Sequence, residues 1–281
     1  MLKQVDCLDK GYVRLVTWLP QDMAELYEAI QGELPTRSLR FLLNREDLAG
    51  VNAAKASFAK SSNALGAGER RLIDFLAKEG HTSPFRHTMV TLEVKAPMMV
   101  ARQWFKYRVG SEHTGDSSEM LGFDFGQGDD GGFGDVLYAR NESSRRYVTS
   151  EPEFYCPSEW RGAPDNKKQG SSGRLDAGPE MALQEMLERR QLQGVLDYEE
   201  ALKVGVCAEQ ARLFLPSYGL YLFWRWSASL QGVCHFLNQR LDEAAQVEIQ
   251  TYAQAVYSLV SQEGVYPLST VALTGKVSVD A

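Results

Sequence analysis

The sequence has only four cysteines in 281 residues, Cys7, Cys156, Cys207 and Cys234, far apart and without a C-x-x-C pair. A chain of this length buries a sizeable core without covalent staples. The four therefore read as reduced core thiols, and neither a disulfide framework nor a metal site is expected. No run approaches the ~20 consecutive apolar residues of a membrane helix, and the opening MLKQVDCLDKG lacks the apolar centre of a signal peptide. The expectation is a soluble, cytoplasmic protein with no membrane partner. Positive charge is scarce as well: 30 Lys and Arg face 37 Asp and Glu, for a net charge of -7. That balance argues against a general nucleic-acid binder, whose footprint is a basic field. Any anion this chain holds must be met by a local cluster of cations.

Common catalytic motifs are missing too. There is no Walker loop and no G-x-S-x-G. Gly126-Gln-Gly128-Asp-Asp-Gly131 has G-x-G-x-x-G spacing. However, it neither follows a strand nor opens a helix, and it sets two carboxylates where a pyrophosphate would lie. His81 and His87 lack the spacing of a helical zinc pair. Cys234 and His235 are only sequence neighbours, whereas a nucleophile and its base must converge in space.

What is present is a mixture of helix and strand patterns. Tyr12 to Trp18 reads as a strand, and Val90, Leu92 and Val94 alternate with Thr91, Glu93 and Lys95 as a strand with one buried face. Gln21 to Gly32 and Arg70 to Lys78 read as helices, the second stopped by Gly80. Pro97 suits the start of a helix from Met98 to about Arg108, with Arg102 and Lys106 on one face. Met181 to Leu215 and Leu237 to Gln262 are rich in helix formers. In the second, Leu241, Ala245, Ile249, Tyr252, Val256 and Leu259 trace one long apolar stripe. Residues 112 to 139 contain no Lys or Arg, and 115 to 135 alone carry seven Gly and five Asp, so this stretch reads as an acidic, mobile insertion. The polar stretch 161 to 179 reads the same way. With no repeat and no linker, the economical architecture is a single α/β domain over 1–281 with loop insertions.

One basic, polar cluster stands out in this acidic chain: Arg102, Gln103, Lys106 and Arg108, then Arg140, Asn141, Glu142, Ser143, Ser144, Arg145, Arg146 and Tyr147. Cations beside hydroxyls suit a phosphate or nucleotide, although a solvated helix face has the same composition.

Two of these segments, Ala101-Arg-Gln-Trp-Phe-Lys-Tyr-Arg-Val-Gly-Ser111 and Asn141-Glu-Ser-Ser-Arg-Arg-Tyr147, resemble the halves of the flavin-dependent thymidylate synthase signature, R-H-R and then N-E-x-S-x-R-Y. Leu8-Asp-Lys-Gly-Tyr-Val13, Gly80-His-Thr-Ser-Pro-Phe-Arg-His87, Val94-Lys-Ala-Pro97, Ala211-Arg-Leu-Phe-Leu-Pro216 and Phe236-Leu-Asn-Gln-Arg240 through Glu248-Ile-Gln250 resemble further family segments, in family order. The resemblance implies a central, mainly antiparallel sheet with long flanking helices. It implies methylation of dUMP at C5, with 5,10-methylenetetrahydrofolate as carbon donor and FAD, recharged by NADPH, as hydride carrier. A homotetramer with sites between subunits is implied as well.

By resemblance, Arg240 is the catalytic cation facing the N3/O4 edge of the uracil. Arg146 and Arg212 are nucleotide-binding arginines, and Gln103, Glu142, Ser143 and Ser144 complete the dUMP cradle. Glu142 also meets the flavin, together with His81, Ser83, Lys106, Tyr107, Arg108 and His235. No base is evident beside Ser144, so it is read as binding rather than attacking. Some positions depart from the family. Lys106 puts a point charge where the family has a bidentate arginine, and Tyr107 puts a phenol where it has an imidazole. His235 stands for an asparagine, Ala244 for a histidine found in some members, and Arg86 for a glutamate found in others. His113 is a candidate for the missing imidazole. These departures leave two alternatives beside the synthase: a flavin-dependent pyrimidine nucleotide hydroxymethylase, and a nucleotide-binding homologue without catalysis.

Overall fold

The computed structural model describes residues 3–16, 47–107, 139–148, 150–164, 170–262 and 265–276. The helix expected at Gln21 to Gly32, Arg108, His113 and the acidic insertion up to residue 138 lie outside the described residues.

Five antiparallel strands form one sheet in the order β1-β2-β3-β5-β4: β1 (Gln4–Cys7), β2 (Gly11–Leu15), β3 (Met89–Pro97), β4 (Ala139–Glu142) and β5 (Tyr221–Ser229). The long central pair is in register, with Val90 opposite Ala228, Leu92 opposite Trp226, Val94 opposite Trp224 and Ala96 opposite Leu222. Because side chains alternate across a strand, these eight fall on one face and are all buried. The other face is polar. There Glu93 accepts from Arg225 at 3.0 Å and from Arg14 at 3.4 Å, and Thr91 bonds Ser227 at 2.8 Å. These are the cross-strand pairs that fix register on an open face.

Among the described residues the helices are α1 (Asp47–Ala56), α2 (Ala67–Lys78), α3 (Met98–Trp104), α4 (Ala177–Lys203), α5 (Ala208–Ala211), α6 (Leu230–Arg240), α7 (Val247–Val260) and α8 (Pro267–Thr274). The α/β architecture with an antiparallel sheet and flanking helices is thus the one anticipated. The apolar face of the sheet carries an aromatic core. Trp104 stacks on Phe236 at 4.4 Å and presents edges to Trp224 and Trp226 at 5.5 and 5.4 Å. A smaller cluster of Leu48, Val51, Ile73, Leu76 and Phe85 joins α1 and α2.

Several boundaries differ from the sequence reading. The helix opened by Pro97 stops at Trp104, so Lys106 lies past its end and shares no helical face with Arg102. The long stripe is two helices. Leu241 and Ala245 lie in the turn after α6, and Ile249, Tyr252, Val256 and Leu259 form the buried face of α7. The stretch from Arg161 is not wholly a loose loop. Arg161 bridges Arg174, Gly162 N–H donates to Gly173 O at 3.0 Å, and Ser172 N–H donates back to Gly162 O at 2.9 Å. Its last residues, from Ala177, open α4. The four cysteines are free thiols, but only Cys7 and Cys234 belong to the core; Cys156 is half-buried and Cys207 exposed. Burial pushes the Cys7 thiol up to about 12, helped by the nearby Asp6 charge.

Candidate functional site

Three helix ends converge beside the aromatic core. Ser229 caps α6 by accepting from Gly232 N–H at 3.1 Å. The helix then runs through His235 and Phe236 to its last residue, Arg240, where a cation is favoured by the helix dipole. A short turn, in which Asp242 accepts from Ala244 N–H at 2.8 Å, leads into α7 with Gln246 at its cap and Glu248 in its first turn. The exit of α3 brings Gln103 and Tyr107 against both sides of that turn.

Tyr107 sets its ring edge-on to Phe236 at 5.3 Å and to His235 at 5.8 Å, and the Arg240 guanidinium carbon lies 5.2 Å from its centre. Burial raises the Tyr107 phenol and the Arg240 charge pulls it back down. The Arg240 Nε is buried and has no hydrogen-bond partner among the described residues. An unmet buried donor of this kind costs about 1 to 3 kcal/mol and marks a place for an acceptor. Gln103 donates from Nε2 to Gln246 Oε1 at 2.5 Å and more weakly to Met99 O at 3.4 Å.

A second group lies where β4 leaves the sheet. Ser143 continues the ladder, donating its N–H to Phe223 O at 2.8 Å while its Oγ accepts from Phe223 N–H at 3.1 Å. The Ser144 Oγ accepts from Arg146 Nε at 3.2 Å. Arg146 and Arg212 are exposed and meet at one residue: Arg146 pairs with the Glu209 carboxylate at 3.6 Å, and Arg212 Nε donates to the Glu209 carbonyl at 3.1 Å. Two cations and a serine hydroxyl thus gather at one rim, the chemistry a phosphate monoester recognises. Upstream on β4, the Arg140 guanidinium stacks 3.6 Å from the Phe105 ring centre, tying this strand to the exit of α3. Glu142 is solvent-accessible, yet crowding around its carboxyl raises its pKa against the pull of Arg140.

His81 and Ser83 lie elsewhere. Both are exposed after α2, and the neighbouring Arg86 donates from Nε to Gln231, in the first turn of α6, at 3.0 Å. Along the axis of α6, Gln231 and Arg240 are roughly 13 Å apart. Within one chain, then, Gln103, Tyr107, His235 and Arg240 gather at one end of α6, and His81 and Ser83 stand at the other. Lys106 is exposed beside Tyr107. Sequence reasoning missed Gln246, Glu248, Arg161 and Glu209 as partners of the site. The available signal for Glu248 was a charged residue set into an apolar helix stripe.

The family model for "Thymidylate synthase complementing protein" matches residues 41–264. Flavin-dependent thymidylate synthases from Thermus thermophilus and Thermotoga neapolitana are 31% and 32% identical over 258 and 260 residues. Each match covers 92% of this chain, and 74% and 90% of the two relatives respectively. The chain belongs to the flavin-dependent thymidylate synthase family. A flavin is therefore the cofactor class its site is built around. A UMP/dUMP methylase, PolB from Streptomyces cacaoi, solved with 5-Br dUMP, shares the fold at a TM-score of 0.68 and 21% identity, over 96% of this chain and 97% of that one. Among the described residues no helix is long and apolar enough to cross a membrane.

Proposed function

We propose that this chain carries out the reductive methylation of dUMP to dTMP, taking the one-carbon unit from 5,10-methylenetetrahydrofolate. FAD, recharged by NADPH, supplies the hydride when bound. Membership of the family supports the reaction. Within the site, the observation that carries it is the Arg240 guanidinium, held against Tyr107 with a buried Nε that no described residue satisfies.

Uracil C5 is a poor nucleophile, so the ring must gain electron density before it attacks the folate carbon. Arg240 is the catalytic residue in this reading. Its fixed cation faces the N3/O4 edge and stabilises negative charge as it develops there, which is the kind of help a preorganised charge gives best in a water-poor site. Gln103, Ser143, Ser144, Arg146 and Arg212 bind the nucleotide, the two arginines that meet at Glu209 taking the phosphate. Glu142 stands between nucleotide and flavin. Cys7 and Cys234 are buried thiols with strongly raised pKa values, Cys234 through desolvation, and so are poorly suited to attack at C6.

The residues present fit a flavin at the Arg240 end of α6. The polar-tipped rings of Tyr107 and His235 and the exposed ammonium of Lys106 suit a polar aromatic ring system bearing phosphates. His81, Ser83 and Arg108 complete the cofactor set. Because His81 and Ser83 stand at the other end of α6, this reading needs a second copy of the chain to close the site, as a homotetramer does. We further read the chain as one cytoplasmic domain, since the nucleotide, folate and nicotinamide pools it draws on are cytoplasmic.

The purified protein is expected to be yellow and to convert dUMP to dTMP only when methylenetetrahydrofolate and NADPH are both supplied. A protein that never takes up FAD, or one whose product gains a hydroxymethyl group instead of a methyl group, sinks the proposal.

A further inference from the structure

Glu248 is 4% exposed, ionisable and unused by the reaction described above. Its two carboxylate oxygens face different partners. Oε1 accepts from Arg161 at 2.6 Å and from the Tyr155 hydroxyl at 3.5 Å, and Oε2 accepts from Gln246 Nε2 at 2.8 Å. Gln246 then accepts on its Oε1 from Gln103 Nε2 at 2.5 Å. A continuous chain of polar contacts therefore runs from a loop cation, through a buried carboxylate, to a side chain assigned to the nucleotide cradle.

The chain has a direction, and chemistry fixes it. An ionised carboxylate only accepts, so Gln246 must turn its NH2 toward Glu248. Its carbonyl oxygen then faces Gln103, which must in turn present NH2. The Met99 carbonyl, at 3.4 Å from the same Nε2, rejects the flipped amide as well. Among the described residues no donor takes Gln103 Oε1. That oxygen and the loosely held second proton are left for a ligand.

We propose that Arg161, Glu248 and Gln246 form a positioning relay that fixes the orientation of the Gln103 amide for nucleotide binding, an inference that rests on reading Gln103 as a nucleotide contact. None of the three touches substrate. They act through Gln103. Burial opposes the charge on Glu248, but the bonds from Arg161 and Gln246 outweigh it and hold its carboxyl below the ordinary value, so the relay stays polarised at neutral pH. An amide in place of the carboxylate keeps the shape and removes the polarity, because an amide satisfies Gln246 in either sense.

The test is a double-mutant cycle on the flavin-loaded enzyme. Glu248→Gln should raise the KM for dUMP about three- to tenfold, the range for losing one well-placed neutral hydrogen bond, with kcat changed less than about twofold. Gln246→Met breaks the relay while leaving the Arg161–Glu248 ion pair in place and should do the same, which keeps the test open if Glu248→Gln folds poorly. Arg161→Lys keeps a cation for the carboxylate and should retain most of the affinity. Added to Gln103→Ala, neither Glu248→Gln nor Gln246→Met should cost anything further. Independent of dUMP, the side-chain NH2 resonance of Gln103, identified by its loss in Gln103→Ala, should shift in both relay variants. Penalties that add fully to that of Gln103→Ala, or an unmoved resonance, overturn the relay. A shifted resonance with an unchanged dUMP KM in Gln103→Ala upholds the relay and overturns only the nucleotide contact.

Discussion

Arg240 and Tyr107 share a cation–π contact, the guanidinium carbon lying 5.2 Å from the ring centre, and this contact ties the last residue of α6 to the exit of α3. Contacts of this type contribute about 0.5 to 2 kcal/mol, depending on desolvation. More important for function, it leaves one guanidinium edge against an aromatic wall and limits where the other edge can point. A cation so constrained costs little reorganisation when charge develops opposite it.

Arg240→Ala is therefore expected to lower kcat by about 100- to 1000-fold, the scale on which a preorganised charge-stabilising donor is felt. The visible flavin absorbance should persist, because in the proposed function the cation acts on the pyrimidine. Steady-state turnover and a spectrum of the same preparation check this together. Equal loss of colour and turnover assigns Arg240 to the flavin instead.

Arg146 and Arg212 converge on Glu209, one through its carboxylate and one through its carbonyl. The Arg146 pair is exposed on both sides, so its contribution to stability is small. Arg146→Ala should leave the thermal midpoint nearly unchanged and weaken dUMP binding by about 1.5 to 3 kcal/mol, the range for charge-assisted bonds. Calorimetric titration of dUMP reads the difference. Unchanged affinity removes Arg146 from the cradle.

Glu248 carries a pH signature. Burial pushes its carboxyl up, the bonds from Arg161 and Gln246 pull it down, and the balance falls below the ordinary carboxylate value. A group whose folded pKa is depressed contributes stability that is present above its unfolded value of about 4.3 and lost as pH falls through the folded one. The stability gap between wild type and Glu248→Gln should be constant from pH 6 to 8 and close as pH drops below about 4.5. Denaturant melts across that range decide it. A gap that widens in acid contradicts the assigned direction.

The central strand was legible because Val90, Leu92 and Val94 alternate cleanly with polar neighbours, and α2 because Gly80, at φ 69°, ends it as glycine readily does. β5 was not, since its run of Tyr221, Leu222, Phe223, Trp224 and Trp226 mixes two large-residue faces and hides the period of two. The join between α6 and α7 was hidden for the opposite reason: Leu241 and Ala245 continue an apolar spacing across a turn that contains no glycine or proline. At the candidate site, the residue names came from the family resemblance, and sequence order said nothing of their grouping. That His81 and Ser83 stand a helix-length from Arg240 is set by the Arg86 bond to Gln231, a contact between residues 145 positions apart. The partner roles of Glu248 and Glu209 likewise depend on long-range placement of Arg161 and Arg146.

Gly11 illustrates how closely the scaffold beneath the site is packed. A Cβ at this position would collide with the Tyr252 hydroxyl oxygen and lie 2.6 Å from the Lys95 carbonyl and 2.9 Å from the Cys7 carbonyl. Tyr252 itself donates to Lys95 O at 2.8 Å, so α7 is pinned to β3 across the backbone of Gly11. Two of the three obstructing atoms are backbone, which cannot swing aside. Gly11→Ala is expected to destabilise the fold by about 1 to 3 kcal/mol, the usual cost of overpacking, or roughly 2 to 10 °C in thermal midpoint for a chain of this size. Tyr252→Phe removes the nearest obstruction, so the double variant should lose less than the sum of the two single ones. The carbonyl contacts should keep it below Tyr252→Phe alone. Thermal melts of the three variants check the pattern, and a Gly11→Ala protein as stable as wild type means that α7 does not press on β2 at this point.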